Sequence, residues 1–165
     1  MLIRLGLIVV FVGIVGVFMG TIQPQKILSQ IPRLPRAHPQ DPEAEYLRLV
    51  ESKFRRLQPL SDEFFDTCSP DPHTARSCSA LATQMLRDLR VFQADLRRAS
   101  VPASFARADA TLKRSIARGI QGFTLVQRAV RTHRRSDWIR ARDALAESFT
   151  LLDRTIQALA AIAEP

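Results

Sequence analysis

Residues 78–99, CSALATQMLRDLRVFQADLRRA, decide the fold: Cys78, Leu81, Met85, Leu89, Phe92, Leu96 and Ala99 recur at spacings of three or four. That repeat lays the apolar side chains on one stripe of a helix and leaves the arginines and most other polar groups on the remaining faces. Ser77, just ahead of the stripe, stands where an N-cap is expected.

The same period appears three more times. Leu47, Val50, Phe54, Leu57, Ser61, Phe64 and Cys68 form a stripe read through Pro59, which is expected to kink that helix. After the Val101-Pro102 break come Phe105, Leu112, Ile116, Gly119, Phe123, Val126 and Val130. A fourth helix is expected from Ser136 or Asp137, carrying Trp138, Leu145, Phe149, Leu152, Ile156 and Leu159. No glycine occurs between Gly20 and Gly119, and β-branched residues are sparse after residue 43, which argues against strands and hairpins. The expected fold is therefore all-α, with residues 43–165 packed as an antiparallel up-down-up-down four-helix bundle. About 120 residues are enough for a single hydrophobic core, so no second domain is expected in this part.

Upstream lies a different kind of sequence. Residues 1–22, MLIRLGLIVVFVGIVGVFMGTI, carry no polar side chain between Leu5 and Met19. A spanning helix needs about 20 apolar residues, and this run is long enough if Arg4 reaches the headgroups, so a single-pass transmembrane anchor is expected. The alternative is a cleaved secretory signal. Its cleavage site is poorly formed, because Phe18 precedes Gly20 by two and Ile14 precedes Gly16 by two, where small residues are wanted. Residues 23–42 contain Pro24, Pro32, Pro35, Pro39 and Pro42 and read as an extended spacer of up to ~60 Å.

Two signals bear on orientation, and they oppose one another. Lys26, Arg33 and Arg36 outnumber Arg4 and the terminal amine, which favours a cytoplasmic C-terminal side. The two cysteines, Cys68 and Cys78, flank SPDPHTARS, a stretch whose two prolines prevent continuous helix. A disulfide stapling that corner would belong outside the cytoplasm, so the bundle is expected on the extracytoplasmic side of the cell membrane. Two buried thiols of a cytosolic bundle are the alternative.

Three surfaces stand out. The chain carries a formal net charge of +8. Between Ala103 and Arg135, eight Lys and Arg face the single acid Asp109. Arg107, Arg114, Arg118 and Arg128 share one sector opposite the apolar stripe, a basic ridge suited to an anionic surface or an acidic protein. No aromatics are interleaved with it as stacking platforms, which disfavours single-stranded nucleic acid. The first helix is its acidic complement, with Glu43, Glu45, Glu51, Asp62, Glu63 and Asp66 against Arg48, Lys53, Arg55 and Arg56. In the apolar run, Gly6, Gly13 and Gly20 are seven apart and Gly16 pairs with Gly20 as small-xxx-small, a face for a homodimer or a membrane-protein partner. The distal tip is expected to gather His73, Arg76, Arg131, His133, Arg134 and Arg135 near the cysteines, as solvated loop residues.

Enzymatic motifs are lacking. The sequence has no Gly-rich phosphate loop, no Gly-x-Ser-x-Gly, and no histidine pair at metal-ligand spacing, so neither a catalytic site nor a metal site is expected. Cys-x-x-Cys-His is absent as well, so four-helix cytochromes are matched in architecture alone, and no cofactor is implied. Periplasmic four-helix sensor modules are a similar analogy, disfavoured by the lack of a second apolar run. The sequence reads as an accessory, scaffold or interaction subunit. The alternative is a bundle holding a small apolar or haem-like molecule in a pocket among Phe92, Phe123, Trp138 and Phe149. Gly119 and Gly122, mid-helix, signal either a tight crossing or room for that ligand.

Overall fold

The computed structural model describes residues 42–68 and 75–163. The expected anchor with Gly6, Gly13, Gly16 and Gly20, the spacer up to residue 41, and His73 lie outside the described residues. Among the described residues the protein is all-helical: α1 Pro42–Thr67, α2 Ala75–Arg98, a 3-10 turn Ala103–Phe105, α3 Ala106–Thr132 and α4 Arg135–Ala163. None of these helices is long and apolar enough to cross a membrane.

Local chemistry explains the boundaries. Pro42, read as the last spacer residue, is instead the first residue of α1, where its fixed φ suits a helix start and its missing N–H costs nothing. Glu43 and Glu45 follow in the first turn, favourably placed against the helix dipole. The helix continues through Pro59 to Thr67. Ser77 is not a cap, because α2 already begins at Ala75 and places Ser77 within its first turn. At the end of α3, His133 adopts the left-handed conformation (φ 55°) and its N–H donates to the Ala129 carbonyl at 2.8 Å. That is the usual way to stop a helix, with a histidine where glycine is commoner.

Contacts between the helices set their directions. Phe54 and Arg56 of α1, with Cys68 just beyond its end, meet Phe92, Asp88 and Cys78 of α2, so partner numbers fall as residue numbers rise. Thr83 and Leu89 of α2 meet Gln127 and Gly119 of α3 in the same sense. Ser115, Gly122 and Arg128 of α3 meet Ser148, Leu145 and Asp137 of α4. Consecutive helices are thus antiparallel. By contrast, Tyr46 and Phe64 of α1 meet Phe105 and Phe123, so α1 and α3 run together.

The apolar stripes face inward. Phe92, Leu96 and Leu112 are fully enclosed, and Phe54, Phe64 and Phe123 are nearly so. Their rings interlock edge-to-face, Phe54 on Phe92 at 5.6 Å and Phe64 on Phe123 at 4.9 Å between centroids. Such pairs add to the burial itself.

The glycines mark a close approach of α3 and α4. A Cβ on Gly122 would lie 2.6 Å from the Leu145 side chain and 3.2 Å from its backbone nitrogen. Two turns away, Ser115 Oγ donates to the Ser148 carbonyl and Ser148 Oγ donates to the Ser115 carbonyl, both at 2.8 Å. Reciprocal bonds of this kind require backbones with no bulk between them. Gly122→Ala is therefore expected to destabilise the fold by about 1–3 kcal/mol through overpacking, outweighing a helix-propensity gain of about 1 kcal/mol. Gly119→Ala, whose new methyl would sit 3.2 Å from Ser148 Oγ and 3.3 Å from Leu89 Cδ1, should change stability far less. Thermal denaturation of the two variants checks the contrast.

Candidate functional site

Arg107, Arg114, Arg118 and Arg128 are all exposed along α3, but the fold treats them unequally. Arg118 Nε lies 3.0 Å from Glu147 Oε1 and its Nη1 donates to Gln121 Oε1 at 2.8 Å. Arg128 Nε lies 3.2 Å from Asp137 Oδ2, and Asp137 is only 1% exposed. Arg107 and Arg114 make no ion pair among the described residues. Among the described residues the ridge thus has two unpaired cations and two that pair with α4. Beside it, an open groove of about 420 Å³ is lined by Arg114, Ala117, Arg118, Gln121, Glu147 and Leu151. Its lining is mixed in charge, which suits a contact with both hydrogen bonds and complementary charge.

The one acid of the ridge segment is absent from the surface. Asp109, 6% exposed, accepts from Tyr46 Oη at 2.9 Å and pairs with Lys113 Nζ at 2.7 Å. Tyr46 stacks on Phe105 at 5.6 Å, and its hydroxyl pKa is driven upward, first by burial and then by the Asp109 charge and the hydrogen bond to it. That phenol stays a donor at any physiological pH. Asp88, 7% exposed, takes a two-pronged contact from Arg56, with Nη2 at 3.0 Å and Nε at 3.3 Å. These carboxylates sit singly, each neutralised by one cation, so none is placed to act with another as an acid–base pair.

Along α1 three of the four bases are paired, one within the helix and two with α2. Arg55 pairs with Glu51 at 2.6 Å, Arg56 with Asp88, and Lys53 with Asp95. Glu63 and Asp66 remain exposed toward its C-terminal end. Asp62 and Asp153 both have carboxyl pKa values pushed up, mainly by burial, with the Asp66 charge adding to the effect at Asp62. Asp95 is opposite: the hydrogen bond from Lys53 holds its carboxyl below the usual range despite some desolvation. A depressed carboxyl favours the fold above the unfolded pKa of about 3.9, and that contribution disappears as pH falls through the lowered value. Lys53→Met is expected to return the Asp95 titration, followed by carbon-detected NMR, to the ordinary carboxylate range. It should also flatten the loss of stability on acidification across that window.

At the other corner, Cys68 and Cys78 stand at disulfide distance, with Cα atoms 5.1 Å apart. Gln127 bonds Thr83, five residues beyond Cys78, which places the end of α3 beside the start of α2. Arg131, Arg134 and Arg135 therefore share an end of the helices with Arg76 and the cysteine pair. Among the described residues no three or more His, Cys, Asp or Glu side chains come together as a metal site. Arg140 and Ile139, both exposed, belong to the same end and lie outside the tip expected from the sequence. Their positions about one turn into α4 are the signal that would have found them. No protein-family model matches the chain, and no curated protein or solved structure resembles it closely enough to be matched.

Proposed function

We propose that the chain is a membrane-anchored interaction subunit, an accessory or scaffold protein held by residues 1–22 on a spacer, with its helices on the extracytoplasmic side of the cell membrane. The apolar run of residues 1–22 supports the anchor, and the Cys68–Cys78 pair supports the extracytoplasmic address. One observation carries the choice of an interaction role: α3 and α4 meet where the alternative needs room. Gly122 lies against Leu145, while Phe92 and Phe123 are already engaged with Phe54 and Phe64. That filling supports a role carried by the outer faces.

Two faces serve that role. Gly6, Gly13, Gly16 and Gly20 offer a contact between helices in the bilayer, to a second copy or to another membrane protein. The α3 ridge and its groove, with free Arg107 and Arg114 beside the Arg118–Glu147 pair, suit an acidic protein better than a uniform anion. Native mass spectrometry of the full chain extracted from its own membranes separates the two readings. The interaction reading expects the bare chain or its complex with another protein. A small molecule retained one-to-one by the isolated chain would favour the ligand-binding bundle instead.

A further inference from the structure

A cluster of free charge lies at the corner between α3 and α4. Arg131, Arg134, Arg135 and Arg140 are exposed, and none makes an ion pair among the described residues. The nearest acid on this hairpin, Asp137, is buried and already satisfied by Arg128 and by the Thr132 hydroxyl at 3.1 Å. Arg134 and Arg135 also stand at the start of a 29-residue helix, the end whose dipole repels cations. Stability alone does not explain arginines there. An anion arriving from outside would relieve both the mutual repulsion and the dipole.

The corner is not purely ionic. Ile139 is 43% exposed, one of the few large apolar side chains left in solvent, and Trp138 beside it is half-buried. Ile139 lies between Arg135 and Arg140. A soluble acidic polymer gains nothing from an exposed isoleucine, whereas a lipid interface takes an apolar side chain and an indole below the phosphates that bind the arginines. His133 turns the chain in the left-handed conformation, so the two helix ends present these groups at one corner.

We propose that the α3–α4 corner is a docking face for an anionic lipid surface, with Arg131, Arg134, Arg135 and Arg140 on headgroup phosphates and Ile139 inserted among them. This goes beyond the proposed role, which leaves the corner unassigned. Glu63 and Asp66 at the same end belong to α1, so binding through the other hairpin is directional.

The test uses the full chain reconstituted in phosphatidylcholine vesicles and mixed with acceptor vesicles of phosphatidylcholine alone or with phosphatidylglycerol. Flotation of the donor vesicles without acceptors reads the anchor separately, so a failure of the anchor is not mistaken for a failure of the corner. Acceptors containing phosphatidylglycerol should be captured, those without should not, and added salt should weaken capture. Replacing the four arginines by glutamine should reduce capture roughly a thousandfold. The milder pair Arg134→Gln and Arg135→Gln should lose part of it with an unchanged helical spectrum. Ile139→Ser should weaken capture several-fold, and Arg107→Gln with Arg114→Gln should leave it intact. Equal losses from the Arg107 and Arg114 pair, undiminished capture by the four-arginine variant, or binding of a poly-glutamate peptide in place of the vesicles would overturn the proposal.

Discussion

Phe92→Ala is expected to lower the unfolding free energy by about 3–5 kcal/mol, among the largest effects of a single substitution in the core. Phe92 is fully enclosed, its ring lies edge-on to Phe54 at 5.6 Å, and it sits where α1 and α2 cross. Removing it deletes the transfer energy of the ring and leaves a cavity that helices held at both ends cannot close. Urea denaturation should show the midpoint fall with an unchanged slope. Val91→Ala, one position away but 47% exposed, is the internal control and should change stability by less than about 0.5 kcal/mol. Similar losses at both positions would mean that the core is not filled as described.

The second large effect is expected at the other end of the same helix pair. Replacing Cys68 and Cys78 by serine should cost about 3 kcal/mol in the loop-entropy model for the closed loop of eleven residues. Cys78 is wholly buried at the start of α2, so the loss has a packing component as well as an entropic one. Comparing the parent in oxidised and reduced form with the double serine variant separates the two. The reduced parent should fall partway and the serine variant further. A reduced parent as stable as the oxidised one would show that the pair contributes through packing alone.

Much of the helical arrangement is legible in the chain because apolar residues at spacings of three and four have few other uses. Period alone places Leu81, Met85, Leu89, Phe92 and Leu96 on one face, and all are buried. What the period cannot show is which polar residues share the stripe. Asp88 and Asp109 lie on the same register as Phe92 and Leu112, yet an acid in a sequence reads as surface. Their burial depends on Arg56, Lys113 and Tyr46, two of which come from another helix. The ridge is legible as a sector of α3, but not the division within it. Arg118 and Arg128 are committed only because the antiparallel register brings Glu147 and Asp137 opposite them. Gly119 and Gly122 signal a special position without saying which. The Leu145 side chain, 2.6 Å from where a Cβ on Gly122 would stand, decides for close approach.

The central claim is an address as much as a role: an anchored chain with its helices outside the cytoplasm. The most direct test is the intact mass of the protein taken from alkali-washed membranes of the producing cell, after alkylation without prior reduction. The account predicts a chain that retains residues 1–22 and carries no alkyl groups, as an uncleaved anchor and a Cys68–Cys78 disulfide require. Alkylation at both cysteines, or recovery of a chain shortened past the apolar run in the soluble fraction, would contradict it.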